Sequence, residues 1–140
     1  MFYYIILPFI GWIVSGTVKY LVNYCGYGRM EAKRKIGNGG FPSTHTTIIS
    51  APLAYIILSK GWNEPEVGLG CAILMITVID ATGIRRAVGL HAQILNSLPT
   101  NNIYNLRESQ GHNWFEVLGG CILGFIVALL TYLIQLAFLE

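Results

Sequence analysis

Four long stretches of this sequence are almost entirely apolar. They occupy residues 2–22, 42–59, 66–84 and 114–138. A helix needs about 20 apolar residues, with about 17 to 25 as the working range, to cross the hydrocarbon core of a bilayer. The pattern therefore predicts an all-α integral membrane helical bundle with about four transmembrane helices. Lys19 lies near the end of the first stretch, where its ammonium is expected to snorkel to the membrane interface.

The composition supports a membrane protein and excludes several other classes. Of the 140 residues 54% are hydrophobic and only 11% charged, whereas a soluble domain has about 25% charged residues. A disordered tail, a coiled coil or a nucleic-acid-binding module would need far more charge. The length predicts a single membrane-embedded domain over residues 1–140. Three cysteines indicate neither a disulfide framework nor a zinc cluster.

Two loops, residues 23–41 and 85–111, fall on the same side of a four-helix bundle. They contain seven of the nine basic residues: Arg29, Lys33, Arg34, Lys35, Arg85, Arg86 and Arg107. The positive-inside rule would place both loops in the cytoplasm. However, if these basic residues bind a phosphate, they would be equally numerous in loops that face outward. The charge therefore leaves the sidedness of the loops open. The second loop begins with a predicted short interfacial helix, residues 86–98.

The second apolar stretch opens with Pro42-Ser43-Thr44-His45, after a glycine pair that ends in Gly40. Proline followed by hydroxyl residues is typical of a helix start, where the missing proline N–H costs nothing and a hydroxyl can cap free amides. A simple cap explains the first three residues. It does not explain His45, an ionisable ring beside free N–H groups whose summed dipole favours an anion.

A second polar group, residues 107–116, opens the last apolar stretch. His112 and Glu116 are four positions apart, so on a helix they share one face and the carboxylate can accept a hydrogen bond from the imidazole. That bond would fix one tautomer and leave the other ring nitrogen free as a nucleophile or base. This spacing also arises by chance, but an unpaired carboxylate inside an apolar stretch would be costly.

A third polar group closes the third apolar stretch. Arg85 and Arg86 could clamp the oxygens of a phosphate, with Asp80 orienting one of them. Alternatively, the two arginines are interface anchors that extend to lipid headgroups. We interpret His91 as a structural residue. Taken together, the three groups would form a phosphate pocket from helix amino termini, cations, two histidines and a carboxylate.

These motifs resemble those of a known superfamily. Residues 42–45 look like the Pro-Ser-x-His motif of the type 2 phosphatidic acid phosphatases, relatives of the vanadium haloperoxidases. Arg107, His112 and Glu116 resemble the later Arg, His and Asp motif of that superfamily. Three ordered motifs, between about residues 39 and 124, are similar to its divergent branch.

The resemblance implies a metal-independent phosphatase without a cofactor. In it His112 would attack phosphorus and form a phosphohistidine, Glu116 would orient that ring, and His45 would protonate the leaving oxygen. The other members of the implied site are the phosphate-binding residues Ser43, Thr44, Arg107, Arg85, Arg86 and Lys19 and the supporting residues Asp80 and Gly40.

The sequence also departs from the superfamily pattern. The first motif, a lysine followed seven residues later by Arg-Pro, is missing, because Gly26 lies seven residues after Lys19 and the chain has no Arg-Pro. The spacing from Arg107 to the histidine is one residue short, and Glu replaces the usual Asp. We hypothesise that Arg85 and Arg86, with Lys19, supply the charge of the missing motif.

The predicted function is hydrolysis of a lipid-linked phosphate or diphosphate, of polyprenyl or phosphatidyl type. The missing motif keeps open an alternative, a catalytically weak protein that binds or transports an anionic lipid. A metal-dependent hydrolase using His45, Asp80, His112 and Glu116 is a further alternative. The expected partners are the lipid phosphate and membrane lipids, and no nucleic acid. Gly120 and Gly124 predict a helix-packing seam, which would also suit a homodimer.

Overall fold

The computed structural model describes residues 2–27, 39–98 and 106–139 of the chain. Within these ranges the regular structure is helical, so the predicted all-α class is confirmed. The helices are α1 (Phe2–Tyr27), α2 (Thr44–Lys60), α3 (Pro65–Ile79), α4 (Arg85–Ser97) and α5 (Trp114–Leu139), and a π-helical turn (Asp80–Ile84) joins α3 to α4. The four basic residues of the first loop, at positions 29 and 33–35, lie outside the described residues.

Three helical stretches of the described chain are long and apolar enough to cross a membrane. They are Phe2–Gly26, Pro65–Ser97 and Trp114–Phe138. The remaining predicted span is α2, whose 17 residues lie at the short end of the range for a crossing helix. Helix α2 packs against α1, α3 and α5 and is therefore the centre of the bundle.

Small and hydroxyl side chains allow α2 to occupy this central position. Its buried face includes Thr46 and Ser50, whose hydroxyls donate to backbone carbonyls one turn earlier. A Cβ atom added to Gly120 would lie 2.0 Å from Oγ1 of Thr46, and one added to Gly124 would lie 2.0 Å from Oγ of Ser50. The predicted glycine seam thus packs α5 against α2 of the same chain.

The region after α3 differs from the prediction of a separate interfacial helix. Helix α4 has nearly the predicted bounds, but it continues from α3 through the π-helical turn, and residues 65–97 form one uninterrupted helical stretch. The sequence from Asp80 to Arg86 contains no proline, so nothing forces a break, and the π-helical turn absorbs the irregularity. Asp80 and Arg85 consequently lie within a continuous helix.

Candidate functional site

Side chains from three separate parts of the chain surround one cavity of about 260 Å³. The residues that line it are Trp12, Gly16, Lys19, Thr44, His45, Ile48 and His112. Helix α1 contributes the lysine, the first turn of α2 contributes one histidine, and the segment before α5 contributes the other. The structure therefore brings together the two histidines on which the predicted chemistry depends.

His112 is held in one orientation by two contacts. Its ring Nδ1 lies 3.0 Å from Oε2 of Glu116, and its backbone N–H donates to the carbonyl oxygen of Ala81 at 2.9 Å. An ionised carboxylate can only accept, so Nδ1 carries the proton and Nε2 keeps its lone pair. Nε2 is thus the nitrogen of this cavity-lining ring that is available as a nucleophile.

The start of α5 fixes the carboxylate that orients His112. Oε2 of Glu116 accepts from the backbone N–H of Asn113 at 3.1 Å, while Oδ1 of Asn113 accepts from the backbone N–H of Glu116 at 2.9 Å. This reciprocal pair is a capping box. The sequence reasoning missed Asn113, although an N-capping residue three positions before a glutamate is the sequence signature of this motif.

The surroundings of His112 favour its neutral form. Burial lowers the pKa of His112 below its ordinary value of 6.5, and the positive charges of Lys19 and Arg85 act in the same direction. The hydrogen bond that His112 donates to Glu116 opposes this shift. A neutral imidazole is the form in which Nε2 can attack phosphorus.

Lys19 lies inside the bundle and not at the lipid interface, where the sequence placed it. The residue is 3% exposed, and its Nζ donates to the carbonyl oxygen of Gly39 at 2.9 Å. One turn earlier, the buried Ser15 donates to Oγ1 of Thr44 at 3.0 Å. The start of α2 and the segment preceding it cover this face of α1, which explains why the ammonium does not snorkel.

Ser43 is the N-cap of α2, as predicted, but it is not among the cavity-lining residues. Its hydroxyl accepts from the backbone N–H of Thr46, and its own backbone N–H donates to the carbonyl oxygen of Glu116 at 2.8 Å. The residue is fully buried. Ser43 therefore ties the start of α2 to the start of α5 and so sets the distance between the two histidine-bearing segments.

Glycines allow the loops before α2 and α5 to touch. Gly39 and Gly40 have φ values of 43° and 80°, a region that favours glycine. A Cβ atom on Gly39 would lie 3.0 Å from the carbonyl oxygen of Gly111 and 3.1 Å from that of Ser109. The described ends of the two predicted loops thus lie at the same end of the bundle.

The three predicted arginines are not among the cavity-lining residues. Nε of Arg85 donates a hydrogen bond to Oδ2 of Asp80, and the two side chains of this ion pair are partly exposed. Arg86 is exposed, and its backbone packs on Gly111, where an added Cβ atom would lie 2.5 Å from the Arg86 nitrogen. Arg107 is exposed in the segment that precedes His112.

Asn96 holds the segment that precedes His112 against α4. Its Nδ2 donates to the carbonyl oxygen of Leu106 at 2.9 Å and to Oε1 of Glu108 at 2.8 Å, and its Oδ1 accepts from the Leu106 N–H at 3.1 Å. Gly89 permits the close approach, since a Cβ atom there would lie 2.7 Å from the carbonyl oxygen of Glu108. Sequence reasoning assigned Asn96 no role, because no local pattern shows which segment it contacts.

The described part of the chain contains no set of ligands for the metal-dependent alternative. Across residues 2–27, 39–98 and 106–139, no group of three or more His, Cys, Asp and Glu side chains could hold a metal ion. The arrangement present there is a cavity with two imidazoles and a lysine.

Comparison with known proteins identifies the family. A model of the divergent PAP2 family matches residues 3–127, which include every residue that lines the cavity. The chain belongs to this family. It is similar to the "Uncharacterized membrane protein YuiD" of Bacillus subtilis (strain 168), with 24% identity over 135 residues; the match covers 84% of this chain and 85% of that protein. No solved structure matches it. With three apolar helices able to span a membrane, this divergent PAP2 chain is an integral membrane protein.

Proposed function

We propose that this protein is an integral membrane phosphatase that hydrolyses a lipid-linked phosphate or diphosphate through a phosphohistidine intermediate. The observation that carries this proposal is the cavity in which His45, His112 and Lys19 meet. Family membership supports the same reaction class. Trp12 and Ile48 give part of the cavity wall an apolar surface, as a substrate anchored in the membrane requires.

In the first half of the reaction, Nε2 of His112 attacks phosphorus and the bond from phosphorus to the leaving oxygen breaks. His45 donates a proton to that oxygen, so the dephosphorylated lipid leaves as a neutral alcohol, or as the monophosphate when the substrate is a diphosphate. Glu116 keeps the proton of His112 on Nδ1 and stabilises the ring as it becomes positively charged.

In the second half, water attacks the phosphohistidine. His45 accepts a proton from the water, the bond between Nε2 and phosphorus breaks, and inorganic phosphate leaves. Lys19 and the Thr44 hydroxyl lie where they can stabilise the negative charge of the transferring phosphoryl group. Phosphoryl transfer depends mainly on such positioning and charge stabilisation.

The nucleophile is tested with His112→Ala in purified protein reconstituted into nanodiscs. Phosphate release from a panel of prenyl and phosphatidyl phosphates should fall at least about 1,000-fold, because the group that attacks phosphorus is missing. His91→Ala is the matched control, since this exposed histidine lies on α4 and does not line the cavity. The control should retain normal turnover.

Two further measurements distinguish the remaining alternatives. Acid-labile phosphate trapped on His112 would identify the intermediate directly, and turnover should be inhibited by vanadate and persist in chelator. Loss of turnover in chelator would favour a metal-dependent hydrolase. Lipid binding without phosphate release by the unmodified protein would favour an anionic-lipid binding or transport protein.

A further inference from the structure

An apolar groove runs between α1, α2 and α3. Its volume is about 310 Å³. Its walls include Pro8 from α1, Ile49, Leu53 and Ile56 from α2, and Leu69 and Ile73 from α3. Leu69 and Ile73 are 64% and 44% exposed, so their apolar surface is open to an occupant.

The groove adjoins the cavity that contains the two histidines. Ile48 lines both spaces. From Ile48 to Ile56 the groove follows α2 for eight residues, or about 12 Å of helix rise, away from His45. Its far end is marked by Glu66, which is bonded to Lys60 at 3.0 Å. A cavity with polar side chains and an apolar groove therefore lie next to each other along one helix.

We propose that this groove holds a hydrocarbon chain of the lipid phosphate whose phosphate lies in the cavity. The inference rests on the proposed function and adds the site that recognises the lipid chain. Lys19 and the two imidazoles suit the anionic headgroup, while the groove suits an apolar chain attached to it. An occupant with both parts matches the observed order of polar and apolar walls.

Two other apolar surfaces are less suited to this role. A pocket of about 190 Å³ beside Phe41, Ile122 and Ile126 shares no lining residue with the cavity among the residues described. A surface pocket near Trp12 and Ile13 does adjoin the cavity, but all its described walls come from α1. The α1–α2–α3 groove alone among these combines contact with the cavity and walls from three helices.

Photolabelling tests the groove without requiring turnover. The probe is a dodecyl phosphonate with a diazirine near the chain end, bound to the protein in nanodiscs. The label should fall on α2 and α3 beside Ile56 and Ile73, and excess vanadate should remove it by displacing the headgroup. Label concentrated on α5 or on the outer face of α1 would overturn the inference, as would label that vanadate leaves unchanged, which would be ordinary lipid contact.

Chain-length dependence tests the groove through catalysis. The unmodified protein should hydrolyse butyl, octyl and dodecyl phosphate with kcat/KM values that rise with chain length, because each added methylene is buried. Ile56→Trp fills the far part of the groove and should lower kcat/KM for dodecyl phosphate about 10-fold, with less than about a 2-fold change for butyl phosphate. Normal turnover of butyl phosphate also shows that the variant folds.

The matched control is Ile134→Trp, an exposed position on α5 that lines neither space. It should leave the chain-length dependence intact. An unchanged preference for dodecyl phosphate in Ile56→Trp would overturn the groove while leaving the phosphatase proposal standing. If no substrate is hydrolysed by any variant, the phosphatase proposal fails, and the photolabelling pattern still decides the groove.

Discussion

The interface of α1, α2 and α5 contains polar side chains in two regions that differ in how they are packed. In one, which we call the tyrosine region, Tyr3, Tyr4, Tyr55, Tyr132 and Gln135 lie beside the hydrophobic core. The Tyr55 hydroxyl donates to Oε1 of Gln135, and the hydroxyls of Tyr4 and Ser59 lie 3.0 Å apart. In the other, the cavity region, Lys19, His45 and His112 border open space.

We interpret this difference as one between polar groups that stabilise the bundle and groups that would bind the proposed substrate. Hydrogen-bonded partners offset the cost of burying the tyrosine hydroxyls. Within residues 2–27, 39–98 and 106–139, the almost fully buried ammonium of Lys19 has one hydrogen-bond partner, the carbonyl oxygen of Gly39, and burying a charge in this way is costly for stability. We therefore expect substitutions in the cavity region to reduce activity at little cost to stability, and substitutions in the tyrosine region to do the reverse.

The largest effect after loss of the nucleophile is expected for Glu116→Gln. The glutamine oxygen can take the place of Oε2 and accept from both the Asn113 N–H and Nδ1–H of His112, but the variant lacks the negative charge that stabilises the ring as it becomes positively charged. We expect kcat to fall roughly 1,000-fold with little change in melting temperature. Glu64→Gln, at the N-cap of α3, is the control. Equal losses in the two variants would mean that Glu116 has no specific role.

The same variant gives a pH test. Because burial and nearby cations lower the pKa of His112, the rising limb of kcat/KM against pH should have an apparent pKa below 6.5, and a falling limb should follow as the general acid His45 loses its proton. Glu116 acts to raise this pKa, so Glu116→Gln should move the rise to still lower pH. Ionisation of the substrate is common to both proteins, so the shift between the two profiles reports the enzyme. A shift toward higher pH would contradict the assignment.

A smaller loss of activity is expected for Lys19→Met. This variant is the most direct test of the comparison between the tyrosine region and the cavity region. Removing one charged group that stabilises the phosphoryl oxygens should lower kcat/KM about 100-fold. The apolar side chain removes the cost of a buried ammonium, so the melting temperature should stay within about 3 °C or rise. Lys60→Met is the control, assayed with butyl phosphate because Lys60 lies at the far end of α2. A destabilised Lys19→Met protein would show that the lysine has a structural role.

Arg85 and Arg86 form a natural matched pair with a still smaller expected effect. The charge of Arg85 influences His112, whereas Arg86 is exposed and contacts Gly111 through its backbone. Arg85→Gln should reduce kcat/KM about 10-fold, and Arg86→Gln less than about 2-fold. Unchanged turnover in both variants would end the hypothesis that these arginines supply the charge of the missing first motif.

Local sequence signals predicted the helices and much of the histidine arrangement. Apolar stretches of membrane-spanning length predicted α1, α3 and α5. This prediction succeeds because its signal is the average composition of many consecutive residues. Pro42 and Ser43 marked the start of α2. The hydrogen bond predicted between His112 and Glu116 is present, but His112 precedes α5, so the two residues do not share a helix face as the spacing had suggested. Each of these signals involves residues close together in the chain.

Features that depend on distant contacts could not be predicted. A lysine near a helix end fits snorkelling as well as burial, and only the packing of the segment at Gly39 over α1 decides for burial of Lys19. Asn96 contacts a segment that begins ten residues later, and no local pattern fixes that approach. The local sequence also does not show that the Ala81 carbonyl, in the π-helical turn between α3 and α4, accepts from the backbone N–H of His112.

The smallest effect on activity is expected in the tyrosine region, where Tyr55→Phe removes the hydroxyl that bonds Gln135. The ring contacts with Tyr4 and Tyr132 remain, so the loss is about 1 kcal/mol, or roughly 3 °C in melting temperature. Turnover should be unchanged, because Tyr55 does not line the cavity. Tyr24→Phe, at an exposed position of α1, should alter neither property. If Tyr55→Phe lowered turnover without lowering the melting temperature, the division between a stabilising region and a ligand-binding region would be wrong.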